Sequence, residues 1–203
     1  FFCFAEQLPV AGFSVTIPHK QKVLRYLDGV EPLAKRIGAV NTVWRKAGRW
    51  RGTNTDTDGV IIPLSKAIKI AKSSVLLVGN GGAARGAAFA LAEAGAKLTV
   101  TGRNIDRVRA LAKACGGDPM TREQAEQANF DALVHATPLG MSPYVNGCFF
   151  QDRVPASVVM DMVYNPLETV LIKRAKDQGK QVIPGMDMFI EQAVRQFELW
   201  TGE

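Results

Sequence analysis

The chain has 203 residues, 47% hydrophobic and 22% charged, with 25 Lys and Arg against 19 Asp and Glu and a formal net charge of +6. This composition excludes intrinsic disorder, because so apolar a chain buries enough surface to offset its conformational entropy. The basic residues are dispersed without a run of five like charges, so we expect a solvated surface and no nucleic-acid partner.

The cysteines and the apolar segments indicate in which compartment the protein is located. Cys3, Cys115 and Cys148 are widely spaced and form no Cys-x-x-Cys pair. This odd, scattered set disfavours a disulfide framework and a thiolate metal site, so we expect no bound metal and a reducing, cytoplasmic location. No stretch of about 18 apolar residues occurs, which predicts no membrane partner. The chain begins at Phe1, not at an initiator Met, and we expect it to be part of a longer protein.

The first sixty or so residues are predicted to form a small α/β unit. Its elements are a strand over 13–17, a helix opened by Pro18, a short helix over 31–37 and a strand over 39–46. This pattern places Lys20 in the first turn of a helix, where a cation opposes the helix dipole.

Residues 54–59, Asn-Thr-Asp-Thr-Asp-Gly, match the opening of a calcium-binding loop. The match fails further on, because Ser65 stands where a bidentate Glu is needed and Pro63 interrupts the loop. We therefore prefer an Asx-turn with a helix cap at this position.

From Ser74 onward the sequence predicts alternating strands and helices. The strands are predicted over 75–78, 97–101, 131–135, 157–163 and 181–183. The helices are predicted up to Gly95, over 105–115, from a Thr121–Gln124 capping box, over 168–178 and over 188–201. Such alternation implies a parallel sheet covered on both faces, which is a Rossmann-like α/β fold.

A glycine-rich loop follows the first of these strands. Residues 79–84, Gly-Asn-Gly-Gly-Ala-Ala, fit G-x-G-x-x-[GA] between a predicted strand and a predicted helix. Gly79 permits the tight turn, Gly81 lets the backbone approach a pyrophosphate, and Ala84 allows the helix to pack closely. A simple turn is the alternative, but the strand–loop–helix context favours a dinucleotide site.

The end of the next strand indicates which dinucleotide binds. An NAD site places Asp or Glu there, whereas this chain has Arg103, with Arg107 one helical turn later. A guanidinium favours the 2′-phosphate of NADP through charge-assisted hydrogen bonds. The alternative is that both arginines are solvated and that Asp106 accepts a hydrogen bond from the ribose.

Seven blocks of the sequence together resemble the shikimate dehydrogenase family, in order and at the family's spacing. The blocks are 12–20 (GFSVTIPHK), 38–42 (GAVNT), 54–56 (NTD), 79–84 (GNGGAA), 136–141 (ATPLGM), 163–166 (VYNP) and 185–192 (GMDMFIEQ). The resemblance implies NADP-dependent, reversible hydride transfer between shikimate and 3-dehydroshikimate, in aromatic amino-acid biosynthesis. It also implies a substrate-binding domain over 1–58, an NADP-binding domain over 59–185 and a C-terminal helix over 186–203 that returns to the substrate domain.

The resemblance also implies roles for individual residues. Lys20 and Asp56 would be the catalytic pair, and a lysine ammonium suits the charge that grows on a carbonyl oxygen as hydride arrives. The residues implied in substrate binding are Thr16, Asn41, Tyr164 and Gln192. The residues implied in cofactor binding are Gly79, Gly81, Gly82, Ala83, Arg103, Arg107, Thr137 and Met141.

The chain departs from the family pattern at several points. His135 stands where the family usually has Asn, so we expect the loop on the nicotinamide side to be held differently. The alternative is a histidine at the end of a strand that is satisfied by backbone groups. The family's first strand and its carboxylate-binding serines have no counterpart, so we expect the substrate domain to be incomplete at its N-terminus. A homodimer, or a fusion to dehydroquinate dehydratase, is expected for the parent. The alternatives are a quinate or quinate/shikimate dehydrogenase and, more remotely, a non-catalytic nucleotide-binding module.

Overall fold

A computed structural model describes residues 2–5, 7–16 and 18–203, and its first part is a small mixed sheet. Four strands, ordered β1-β3-β4-β2, form this sheet: β1 (Gly12–Ser14), β2 (Gly29–Val30), β3 (Thr42–Lys46) and β4 (Arg49–Thr53). Its helices are α1 (Phe2–Ala5), a 3₁₀ helix (Lys22–Tyr26) and α2 (Pro32–Ile37). Strand β3 pairs antiparallel with β1 and β4, whereas β2 runs parallel to β4.

The predicted helix at Pro18 is wrong. Residues 18–21 form a turn, and helical structure starts only with the 3₁₀ segment at Lys22. The backbone carbonyl of Lys20 accepts a hydrogen bond from Val40 N–H at 2.8 Å, so a bond to a distant segment replaces the one that a helix would supply. The predicted strand over 13–17 is also shorter, and its last position, Ile17, lies outside the described residues.

A six-stranded parallel sheet forms the second part, in the order β10-β9-β8-β5-β6-β7. Its strands are β5 (Ser74–Val78), β6 (Lys97–Thr101), β7 (Asp118–Pro119), β8 (Phe130–His135), β9 (Ala156–Asp161) and β10 (Gln181–Ile183). Its helices are α4 (Gly82–Glu93), α5 (Ile105–Cys115), α6 (Arg122–Gln127) and α7 (Val170–Asp177). The predicted Rossmann-like alternation is confirmed, and so is the capping box that opens α6.

Two further helices link the sheets, namely α3 (Asp56–Ala67) and α8 (Gly185–Thr201). They pack closely, because a Cβ added at Gly59 of α3 would lie 2.7 Å from the carbonyl oxygen of Met188 in α8. The far end of α8 reaches the first sheet, where Trp200 Nε1 donates to the carbonyl of Val43 at 2.9 Å. Among the described residues, no helix is both long and apolar enough to cross a membrane.

Candidate active site

An ion pair joins Lys20, in the turn after β1, to Asp56, the first residue of α3. Lys20 Nζ lies 2.6 Å from Asp56 Oδ2, and the two side chains are only 14% and 4% exposed. Partial burial lowers the local dielectric and strengthens the attraction, so the ammonium is held at a defined position. The tertiary bond from Val40 to the Lys20 carbonyl fixes the turn that carries it.

Asn41 connects this pair to α8. Its side chain is 2% exposed, and Nδ2 donates to Asp56 Oδ1 at 2.9 Å and to Thr55 Oγ1 at 3.0 Å. Its Oδ1 accepts the N–H of Thr55 at 2.7 Å. Gln192 Oε1 lies 3.4 Å from the same Nδ2. The structure therefore brings four of the predicted site residues together: Lys20, Asn41, Asp56 and Gln192.

Two predicted substrate-binding residues lie apart from this network. Thr16 is exposed in the turn that leads to Lys20. Tyr164 is 45% exposed, and its ring centroid lies 4.7 Å from that of Phe189 on α8. Within the described part of the chain, neither side chain has a hydrogen bond to Lys20 or Asp56.

Sequence reasoning missed a second glutamine on α8. Gln196 is 5% exposed; its Nε2 donates to Thr42 Oγ1 at 3.0 Å, and its Oε1 accepts the Ser14 hydroxyl at 2.9 Å. The signal was present, because Gln196 follows Gln192 by four residues and so shares its helix face. These bonds fix α8 against β1 and β3, and thus place Gln192 beside Asn41.

The calcium-loop alternative is wrong, because residues 56–67 form α3. Asn54 Oδ1 accepts the N–H of Asp56 at 3.1 Å, as expected for an Asx-turn at a helix start. Among the described residues, no three His, Cys, Asp or Glu side chains form a group that could hold a metal ion. Burial raises the pKa of the Cys115 and Cys148 thiols, which disfavours the reactive thiolate in both.

The glycine loop has the backbone geometry that a dinucleotide site needs. Gly79 has φ +129°, and a Cβ there would lie 2.6 Å from the Ala136 carbonyl oxygen, so only glycine fits. Gly81 is exposed, and a Cβ there would meet no atom within 4 Å. Helix α4 starts at Gly82 without a side-chain cap, which leaves the first N–H groups, including that of Ala83, available to a phosphate.

The glycine loop and the ion pair lie next to each other. A Cβ added at Gly82 would lie 3.7 Å from Lys20 Cβ and 3.8 Å from Lys20 Cδ. The same helix passes Asp56, because a Cβ at Gly86 would lie 3.6 Å from Asp56 Cβ. A group bound on the glycine loop is therefore adjacent to the lysine.

The arginine-bearing turn after β6 borders the glycine loop. Asn80 Nδ2 donates to the Asn104 carbonyl at 3.4 Å, and this contact joins the two turns. Arg103 and Arg107 are both exposed. Asp106 pairs with Arg109 at 3.4 Å, so the nearest acidic side chain is engaged away from the loop.

The segment after β8 forms the other wall of the glycine loop. A Cβ at Gly79 would lie 3.3 Å from the Thr137 methyl, and Met141, 38% exposed, follows in the same segment. The alternative in which backbone groups satisfy His135 is wrong, because side chains bind its ring. Its Nδ1 lies 2.9 Å from Asp161 Oδ1, and its Nε2 lies 2.6 Å from Thr137 Oγ1.

A fixed ammonium beside a dinucleotide loop is suited to protonate a carbonyl oxygen while hydride reaches the carbon. Fold and site together define a dinucleotide-dependent oxidoreductase.

Family models agree with this class and make it specific. The shikimate dehydrogenase substrate binding domain matches residues 1–43, shikimate / quinate 5-dehydrogenase matches 63–140, and the shikimate 5'-dehydrogenase C-terminal domain matches 185–203. A shikimate dehydrogenase (NADP(+)) of Oleidesulfovibrio alaskensis is 41% identical over 209 residues, which cover all of this chain and 74% of that protein. The chain belongs to the shikimate dehydrogenase family, which confirms the resemblance seen in the sequence.

Solved structures of the family are also similar to this chain. The shikimate 5-dehydrogenase of Thermus thermophilus, in complex with NADP(H) and shikimate, superposes with a TM-score of 0.87 at 36% identity. The match covers 98% of this chain and 76% of that one. The quinate dehydrogenase of Corynebacterium glutamicum, in complex with NAD, gives 0.88 at 36% identity and covers 99% and 76%.

Proposed function

We propose that this protein interconverts 3-dehydroshikimate and shikimate with NADP, in the shikimate pathway of aromatic amino-acid biosynthesis. The names of its curated relatives support the reaction and the cofactor. The observation that carries the proposal is the partly buried Lys20–Asp56 pair, 2.6 Å apart and adjacent to the glycine loop. A protein that only bound a nucleotide would need no such pair.

The residues of the glycine loop fit NADP. The open side of Gly81 admits a pyrophosphate, and the N–H groups of Gly82 and Ala83 at the start of α4 are available to bind it. Arg103 and Arg107 supply positive charge for a 2′-phosphate beside the loop. When bound, NADP supplies or accepts the hydride. Thr137 and Met141, on the opposite wall, are assigned to the same site.

Lys20 and Asp56 carry the proton chemistry. In the reducing direction, the Lys20 ammonium stabilises the negative charge that grows on the substrate carbonyl oxygen and donates a proton to it. Asp56 orients the ammonium through its Oδ2 and is itself oriented by Asn41. In the oxidising direction, the neutral amine takes the hydroxyl proton back.

The remaining substrate contacts are assigned around this pair. Asn41 Nδ2 and Gln192 Oε1 meet at 3.4 Å beside Asp56, and both side chains are assigned to the substrate from the family motifs. Thr16 and Tyr164 are exposed on either side and are assigned to the substrate from the family motifs. We keep the division into domains over 1–58 and 59–185, with a returning helix over 186–203, as part of this proposal.

Quinate is the second candidate substrate, because a quinate dehydrogenase with NAD is among the similar structures. Arg103 favours NADP and thus the shikimate reaction. Initial rates with shikimate and quinate, each with NADP and with NAD, test the choice. We expect the shikimate and NADP combination to have the highest kcat/KM. A highest value for quinate with NAD would overturn the proposal.

Location and assembly stay predictions. The scattered cysteines support a cytoplasmic location, since free thiols persist in a reducing compartment. For assembly we propose a homodimer or a fusion to a dehydroquinate dehydratase domain. The mass of the purified protein in solution and the sequence of its whole gene test these two proposals.

A further inference from the structure

A buried histidine–carboxylate pair lies outside the Lys20–Asp56 site. His135 ends β8 and is 1% exposed, whereas Asp161 ends the neighbouring strand β9 and is fully buried. Burying a carboxylate costs several kcal/mol unless every lone pair finds a donor. This pair therefore needs a reason beyond packing.

The contacts of Asp161 determine where the histidine proton lies. Asp161 Oδ1 accepts the N–H of Val163 at 3.0 Å, and Oδ2 accepts the Thr169 hydroxyl at 2.6 Å. His135 Nδ1 contacts the same carboxylate at 2.9 Å. Because an ionised carboxylate only accepts hydrogen bonds, Nδ1 carries a proton.

The opposite side of the ring holds Thr137. Thr137 Oγ1 lies 2.6 Å from His135 Nε2 and accepts the N–H of Leu139 at 3.2 Å. The hydroxyl has one proton to donate, and Nε2 is its acceptor in a neutral ring. A continuous series of hydrogen bonds thus runs from Thr169, the N-cap of α7, through Asp161 and His135 to the segment that begins at Thr137.

This series fixes the Thr137 rotamer. With its hydroxyl held by Nε2, Thr137 directs its methyl toward Gly79, 3.3 Å from where a Cβ of that glycine would lie. Gly79 is the first residue of the glycine loop. Because it has no side chain, its position depends on the residues packed around it, which include Thr137. A rotated Thr137 would change the wall against which this loop packs.

We propose that His135, held by Asp161 as the neutral Nδ1-protonated tautomer, is a positioning residue that fixes Thr137 against Gly79 and so raises affinity for the dinucleotide. The proposal rests on the assignment of the glycine loop to NADP.

Direct titration of the protein with NADP, without substrate, tests this role. His135→Asn keeps an amide N–H for Asp161 but is shorter than the imidazole and has no acceptor at the position of Nε2, which Thr137 contacts. Thr137→Val removes the hydroxyl at constant shape. Each should weaken NADP binding by roughly three- to tenfold, the effect of one lost hydrogen bond. The double variant should bind NADP no more weakly than the weaker-binding of the two single variants, because both substitutions break the same hydrogen bond.

Kinetics separate positioning from general destabilisation. In His135→Asn the KM for NADP should rise by the same factor, while kcat at saturating NADP stays within about twofold, since Lys20 and Asp56 are untouched. Additive losses in the double variant, or a fall in kcat at unchanged KM, would overturn the proposal.

Nitrogen NMR of the imidazoles gives a readout that needs no cofactor. The chain has only two histidines, and His135→Asn identifies the signals of the second. We expect a proton on Nδ1 and none on Nε2; a proton on Nε2, alone or together with one on Nδ1, would overturn the proposal. The controls also separate two failures. If Gly81→Ala leaves NADP binding unchanged, the glycine-loop assignment fails, whereas normal binding by His135→Asn alone refutes only the role of His135.

Discussion

The two walls of the candidate site are built in opposite ways. On the substrate side, Lys20, Asn41 and Asp56 are largely buried and bonded to one another. On the cofactor side, Gly81 and Arg103 are exposed, and the start of α4 has no side-chain cap. Under the proposed assignment, the chain fixes the reacting groups in advance and leaves the phosphate-binding groups to be satisfied by their ligand. Changes on the first wall should therefore alter turnover, and changes on the second should alter affinity.

The largest effect is expected for Lys20→Ala. Loss of the proton donor should lower kcat by about 10²- to 10⁴-fold, with NADP affinity nearly unchanged, as steady-state rates and NADP titration will show. Lys22→Ala, an exposed lysine in the adjoining 3₁₀ helix, is the matched control and should keep its activity. Comparable turnover in Lys20→Ala would remove this lysine from the mechanism.

Asp56→Asn should lower kcat by roughly 10- to 100-fold, because the amide keeps the shape but loses the charge that orients the ammonium. The measurement is kcat at saturating shikimate and NADP, with urea unfolding to check that the variant is folded. Full activity would show that Asn41 and the turn around Lys20 suffice to place the ammonium.

On the cofactor wall, Arg103→Ala should weaken NADP binding by about 1.5 to 3 kcal/mol, the usual loss for a hydrogen bond to a charged group. NAD binding should change little, because NAD lacks the 2′-phosphate. Arg109→Ala, on the helix that follows Arg103, is the control, since Arg109 pairs with Asp106 and should affect neither cofactor. Equal losses for both dinucleotides would show that Arg103 does not bind the 2′-phosphate.

Gly81→Ala separates cofactor binding from folding. A Cβ at Gly81 meets no protein atom within 4 Å and φ is −82°, so the free energy of unfolding should be unchanged. NADP affinity should fall about tenfold, because the methyl occupies space that the pyrophosphate needs. Calorimetric titration and urea unfolding of the same preparation provide both values, and unchanged affinity would contradict the assignment.

The smallest expected effect is on the free energy of unfolding and its dependence on pH. Asp131 Oδ2 accepts the N–H and the hydroxyl of Ser74, and these bonds lower the pKa of Asp131. Their contribution to stability is present above the unfolded pKa of about 3.9 and is lost as pH falls through the lower folded value. Ser74→Ala should cost less than about 1 kcal/mol at pH 7 and less still at pH 2, since Asp131 is exposed. Urea unfolding at both pH values measures this difference, and an equal cost at both would exclude the linkage.

The sequence predicted the cofactor half better than the substrate half. Local signals define the strand before Gly79, the helix after it and the Thr121 cap, so periodicity and turn residues suffice there. In the first half, the hairpin partner β4 and the helix α3, which contains Gly59 and Pro63, have no clear periodic pattern and were not predicted.

Site residues were predictable where a motif carries them. Lys20 and Asp56 were found by motif, although the turn at Lys20 depends on a tertiary bond from Val40 that no local pattern reveals. The same limit applies to His135, whose partner Asp161 is 26 residues away and becomes a neighbour only through the pairing of β8 with β9.

The most direct test of the contrast between the walls is a paired measurement of kcat and the NADP dissociation constant in Lys20→Ala and Arg103→Ala. We predict that the lysine variant loses turnover and keeps its NADP affinity, whereas the arginine variant loses affinity and keeps kcat at saturating NADP. Parallel losses of both quantities in both variants would contradict the account.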